Sequence, residues 1–162
     1  MPLLAPGRHN MSLARIEAMC VTAFPGNQRR ASLFRQLEEF VAAYGGAGIR
    51  CQFWIDGSFL TEKPHPLDLD VTVIIEADVV SGLTVAQNDL VDRTNAGGGY
   101  ADDLDTFAFF CKGRGDPEFY DEVLNPAISW GEQYGREHNG RWVKGFGVIR
   151  LGESNVGLRI CS

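Results

Sequence analysis

Two apolar runs of strand length, CQFWI (51–55) and LDVTVII (69–75), stand only thirteen residues apart. That spacing constrains the fold more than any other feature of the chain. Parallel neighbours need a crossover of a dozen or more residues, usually containing a helix. The insert between Ser58 and Asp68 carries Pro64 and Pro66 and is too short for a crossover helix of normal length. A single helical turn followed by an extended return satisfies it, so the two strands are expected to pair antiparallel.

The segments on either side fill in the architecture. Ser12 can cap a short helix, SLARIEAMC, and Pro25-Gly26 then breaks the chain. Asn27 can cap a longer helix, QRRASLFRQLEEFVAAY, in which Leu33, Leu37, Phe40, Val41 and Tyr44 recur at helical spacing. Gly45-Gly46 is expected to end it. A helix is expected over 77–93, weakened by Gly82 and Thr84, and a strand over DLDTFAFFC (103–111). Pro117 can start a further helix, Pro126 interrupts it before 127–137, and VKGFGVIRL (143–151) reads as a last strand. The order α–α–β–β–α–β–α–β predicts an α/β or α+β fold with a small mixed central sheet flanked by helices. Residues 1–11, with two prolines and a glycine, read as an irregular arm. The expected organisation is an arm and short helix over 1–26 and a single domain over 27–162.

The polar insert opens Asp56-Gly57-Ser58 and closes Asp68-Leu69-Asp70. Alternate residues of a strand share a face, so Asp68 and Asp70 lie roughly 6.6 Å apart on one side, opposite Leu69, Val71, Val73 and Ile75. Two carboxylates so placed can reach one divalent cation or a close pair of them, and without a cation they repel. A solvated strand edge with two acids is the plain alternative. Thr72 continues their face. Gly57 permits a positive φ at the strand end, and the Ser58 hydroxyl with nearby N–H groups can cradle a phosphate, although a plain turn is the simpler account of that dipeptide by itself. A second acidic strand start, Asp102-Asp103-Leu104-Asp105, can supply a third carboxylate from Asp103 or Asp105. Oxygen donors in that number suit Mg²⁺ completed by water and phosphate.

Charge narrows the partners. A net charge of −6 argues against broad nonspecific binding to nucleic acid or anionic membrane, since phosphate neutralisation needs a Lys/Arg surplus. No apolar run approaches membrane-spanning length, and the opening MPLLAPGRHN is too short in apolar residues for a signal peptide, so a cytoplasmic location is expected. Cys20, Cys51, Cys111 and Cys161 show no CxxC spacing and read as reduced thiols. Lys63 lies in the insert and could contact a triphosphate or simply solvent. Arg29 and Arg30 at a helix start oppose its dipole and hint at an anion. His9, His65 and His138 show no ligand spacing, and Trp130 and Trp142 read as core residues.

Gly57-Ser58, nine residues, then Asp68-Leu69-Asp70 resembles the signature of the nucleotidyltransferase superfamily, the fold class of DNA polymerase beta. More closely, WIDGSFLTEKPHPLDLDVTV is similar to a family of short prokaryotic and phage proteins with nucleotidyltransferase-like folds, matched at Trp54, Asp56, Gly57, Ser58, Phe59, Thr61, Lys63, Pro66, Asp68 and Asp70. The helix 31–44, Tyr100-x-x-Asp103 and GVIRL (147–151) match it more loosely. The resemblance implies an NTP-binding, Mg²⁺- or Mn²⁺-dependent transfer of a nucleotidyl group to a hydroxyl. In it Asp68, Asp70 and Asp103 or Asp105 would serve metal and catalysis, and Gly57, Ser58 and Lys63 the nucleotide. It leaves an alternative, a catalytically weak or inactive fold that binds a protein partner in a toxin–antitoxin, phage-defence or counter-defence setting.

Overall fold

The computed structural model describes residues 1–96, 100–112 and 144–152. The anticipated helices 117–137, Trp130, Trp142, His138 and Cys161 lie outside these residues. Among the described residues five strands form one mixed sheet: β1 (Gly7–Asn10), β2 (Cys51–Asp56), β3 (Leu69–Glu76), β4 (Leu104–Cys111) and β5 (Gly145–Leu151), in the order β1-β5-β2-β3-β4. β2 pairs antiparallel with both β3 and β5, whereas β1–β5 and β3–β4 are parallel. The antiparallel β2–β3 pair is the arrangement the short insert demands, and Ser58–Leu60 forms its single 3₁₀ turn.

The helices obey local chemistry. α1 (Leu13–Glu17) is capped by Ser12, whose side chain accepts from the Arg15 N–H at 3.2 Å, and runs on into a π-helical turn at Ala18–Thr22. α2 (Gln28–Gly46) is capped by Asn27, which accepts from the Arg30 N–H at 3.1 Å. It buries Arg30, Leu33, Phe34, Leu37, Phe40, Val41 and Tyr44, one stripe at i, i+3, i+4 and i+7 spacing. The helix carries on through Gly45-Gly46 and ends one step later. Gly48, at φ +68°, donates to the Gly45 carbonyl, and the Ile49 N–H donates to that of Tyr44, both at 3.1 Å. These bonds satisfy the last carbonyls in the Schellman pattern. The single helix expected over 77–93 is two, α3 (Ala77–Val80) and α4 (Val85–Asn95), because Thr84 and Gln87 make a reciprocal capping box that starts a new helix after Gly82. Together they form the crossover that parallel β3 and β4 require.

α2 and α4 share the main core with one face of the sheet. Leu37, Phe40, Tyr44, Phe53, Val71, Val73 and Leu90 belong to it, and Phe40, Tyr44 and Phe53 meet edge to face at 5.3–5.5 Å. The opposite face is also buried towards its middle, around Trp54, Ile74, Cys111, Phe146 and Val148. Thr72 is therefore buried and does not extend a polar surface. The arm expected at 1–11 is in part a strand: Gly7–Asn10 pairs in register with Gly145–Val148, and the Met11 N–H donates to the Val148 carbonyl at 2.9 Å. Cys20, Cys51 and Cys111 are buried, with burial pushing Cys20 and Cys51 up to about 12. No helix among the described residues is long and apolar enough to cross a membrane.

Candidate functional site

Register places three aspartates side by side. Asp56 ends β2 opposite Asp70 on β3, and Asp70 lies opposite Asp105 on β4. Residues directly opposite in neighbouring strands point to the same face, with Cβ atoms roughly 4.5–5.5 Å apart. The row therefore crosses three strands on the face away from α2. It grades from the interior to water: Asp56 is buried, Asp70 half-buried and Asp105 exposed.

Electrostatics follow from that placement. Burial, then the charges of Asp68, Asp56 and Asp105, push the Asp70 carboxyl up to about 6, while Lys144 opposes the rise. Lys144, just ahead of β5, is itself buried and its Nζ lies 2.9 Å from Asp56 Oδ1. Neither Asp56 nor Lys144 announces itself in the sequence as a site residue beyond the resemblance at Asp56. A buried lysine looks like any surface lysine until its partner on another strand is known.

Gly57 joins the row to the turn. At φ +85° and ψ −169° it occupies a region essentially reserved for glycine. A Cβ there would fall 1.9 Å from Asp70 Oδ2. The glycine thus lets the Asp70 carboxylate lie directly against the backbone that leads into Ser58–Leu60. The Ser58 hydroxyl is buried and has no hydrogen-bond partner among the described residues. The Lys63 side chain is exposed, and its carbonyl accepts from Arg30 at 2.8 Å.

Asp103 goes elsewhere. The period-2 rule would set it beside Asp105, but β4 begins only at Leu104, after a turn closed by the Leu104 N–H donating to the Ala101 carbonyl at 3.1 Å. From that turn Asp103 meets α2. Arg29 donates Nη1 to its Oδ2 at 2.7 Å and Nη2 to its Oδ1 at 2.8 Å, and Gln36 Nε2 adds a bond at 3.1 Å. Those bonds hold the Asp103 carboxyl below the usual carboxylate range. Asp68, exposed just before β3, adds its charge to both Asp70 and Arg29. Of Asp68, Asp70 and Asp103, Asp70 alone lies in the acid row, Asp68 stands just before it and Asp103 is held in the Arg29 pair. Among the described residues no three His, Cys, Asp or Glu side chains form a ready-made metal cage.

The two arginines that looked like an anion signal fasten the insert instead. Arg30 is fully buried. Its Nη1 donates to the Cys20 and Phe59 carbonyls at 3.1 and 2.8 Å, and its Nη2 to those of Thr61 and Lys63. The guanidinium stacks 3.8 Å above the Phe24 ring. Arg29 Nε donates to the Pro66 carbonyl at 3.1 Å and its Nη2 also to that of Leu67, while Asn27 Nδ2 reaches the Pro64 carbonyl. The first turn of α2 therefore fixes the stretch from Phe59 to Leu67, and with it the approach to Asp68 and Asp70.

Residues 1–150 match the model of a family of unknown function, DUF6932. The match spans most of the chain, which belongs to that family. No curated protein and no solved structure matches it.

Proposed function

We propose that this DUF6932 protein is a Mg²⁺-dependent, nucleotidyltransferase-like protein that binds an NTP and passes its nucleotidyl group to a hydroxyl acceptor. The observation that carries the reading is the in-register row Asp56, Asp70 and Asp105 set directly against the Gly57-Ser58 turn. An acid row alone would be a liability, because like charges at this spacing repel and burial raises the cost. A hard divalent cation removes that cost, and carboxylate oxygens are the donors it takes. Mg²⁺ is generally held by one or two carboxylates with water and substrate phosphates completing the shell, not by an all-protein cage. Asp70 and Asp105 supply such a pair, with Asp68 beside them adding negative potential.

Bound there, Mg²⁺ would polarise the α-phosphate and favour the attacking hydroxyl as an alkoxide. The chain's own groups have separate tasks. Gly57 keeps its Cα side open so that the Asp70 carboxylate can lie against the turn. The Ser58 hydroxyl, free of other bonds among the described residues, is a donor for a phosphate oxygen. Arg30 and Arg29 hold the insert, and so keep the turn and the acid row at a fixed separation. Asp103, engaged by Arg29, belongs to this support and not to the donor set.

The test is incubation of the full chain with each labelled NTP and Mg²⁺, beside Asp70→Asn and Asp105→Asn variants. Metal-dependent NTP binding by the wild type that both variants lose is the expected result. Failure to bind any NTP with Mg²⁺ present overturns the reading.

A further inference from the structure

The acid row contains a cation supplied by the chain. Lys144 enters from the start of β5, on the far side of β2 from β3, and meets Asp56 at 2.9 Å with both side chains about nine-tenths buried. Buried charges at that distance persist only as a pair, since a lone one pays heavily for desolvation. The ammonium also acts on Asp70, the next member of the row. The far end, at Asp105, has no such neutralisation from this pair and faces water.

Resting on the function proposed above, we infer that Lys144 is a built-in counter-cation of the acid row. It neutralises Asp56, restricts the row to one divalent ion at Asp70 and Asp105, and lowers the affinity of that position. The physical argument is charge bookkeeping at short range. Removing Lys144 adds one net negative charge beside the ion, and removing Asp56 unpairs a positive one. A full charge a few ångströms from a divalent ion in a partly desolvated site changes affinity by roughly tenfold or more. A lysine that served packing alone would leave ion affinity where it was.

Mn²⁺ binding to the full chain, followed by titration calorimetry at pH 7.5, decides the matter without reference to turnover. The wild type is expected to take one Mn²⁺ and Asp70→Asn none. Lys144→Met should bind about tenfold more tightly than wild type, and Asp56→Asn about tenfold more weakly. The double variant Asp56→Asn/Lys144→Met should return to within about threefold of wild type, because its net charge is restored. If Lys144→Met does not fold, the comparison of Asp56→Asn with the double variant carries the test, the double being expected to bind about tenfold more tightly. Equal Mn²⁺ affinity in the wild type and in all folded Lys144 and Asp56 variants overturns the inference while leaving the proposed site standing. A wild type that binds no Mn²⁺ overturns the proposed site, and this inference with it.

Discussion

Asp70 should weaken the fold at neutral pH, and replacing it with Asn should strengthen it. Asn has nearly the same shape, so the change removes charge while keeping the packing against Gly57. The folded protein holds the Asp70 proton up to about pH 6, against 3.8 for an unperturbed carboxyl. Below 3.8 both folded and unfolded chains are protonated at this position, and Asp70 costs nothing. Between 3.8 and about 6 the unfolded chain is ionised and the folded one is not, so stability falls as pH rises. Above about 6 the full penalty is present. Each tenfold difference in proton affinity is worth 1.36 kcal/mol, which sets a ceiling near 3 kcal/mol. Partial access to solvent reduces this to about 1–2 kcal/mol. Urea denaturation at pH 4.5, 6 and 7.5 reads the effect directly. Asp70→Asn should gain about 1–2 kcal/mol over wild type at pH 7.5 and about a third of that at pH 4.5, and Mg²⁺ should narrow the gap at pH 7.5. Parallel stability curves for the two proteins across that range, or a less stable variant at pH 7.5, would refute the argument that burial and the neighbouring acids load Asp70.

Other substitutions separate the support from the site. Asp103→Ala should lose about 0.5–1.5 kcal/mol of stability through its bidentate pair with Arg29 yet retain Mn²⁺ binding, whereas Asp105→Ala should lose Mn²⁺ binding with little change in melting temperature. Gly57→Ala should cost roughly 2–4 kcal/mol, because its backbone angles suit glycine alone and the new Cβ collides with Asp70 Oδ2; circular dichroism melts would show it, and nearly unchanged stability would contradict the geometry. Arg30→Met should cost about 3 kcal/mol or more by orphaning four carbonyls, and limited proteolysis with a glutamate-specific protease should then cut after Glu62 faster than in wild type.

What could be read from the sequence, and what could not, divides by the range of the interactions involved. The α2 stripe, the Asn27 cap and the antiparallel β2–β3 pair rest on neighbours within one helix or one short insert, and periodicity carries that information. β1 leaves no mark in the sequence because GRHN has no apolar alternation, and its partner β5 lies at the other end of the described chain. Asp103 and Asp105 are equivalent in a period-2 pattern. The turn that ends at Leu104 separates them, and only the parallel register of β3 with β4 selects Asp105. Arg29 and Arg30 stand at an unfavourable position, the start of a helix. Its compensation lies in the carbonyls of the insert and in Asp103 of the turn before β4, which supply the negative ends that the dipole does not.

The same long-range contacts explain how an acid row survives in a small fold. Three carboxylates in register would favour slipping β4 by one residue, but such a slip would turn every β4 side chain to the other face and expose Leu104 and Thr106. The Arg29–Asp103 pair pins the entry to β4 against that slip, and the Leu69 N–H donating to the Asp103 carbonyl at 3.0 Å locks the adjoining backbone. At the other end Lys144 shields Asp56. The uncompensated charge is thereby confined to Asp70 and Asp105, the two members nearest solvent, where a ligand can reach them. A row arranged merely to keep a sheet edge soluble would put its charges on the edge strand alone; this one reaches inward to Asp70 on β3 and Asp56 on β2, where burial raises the cost of each charge.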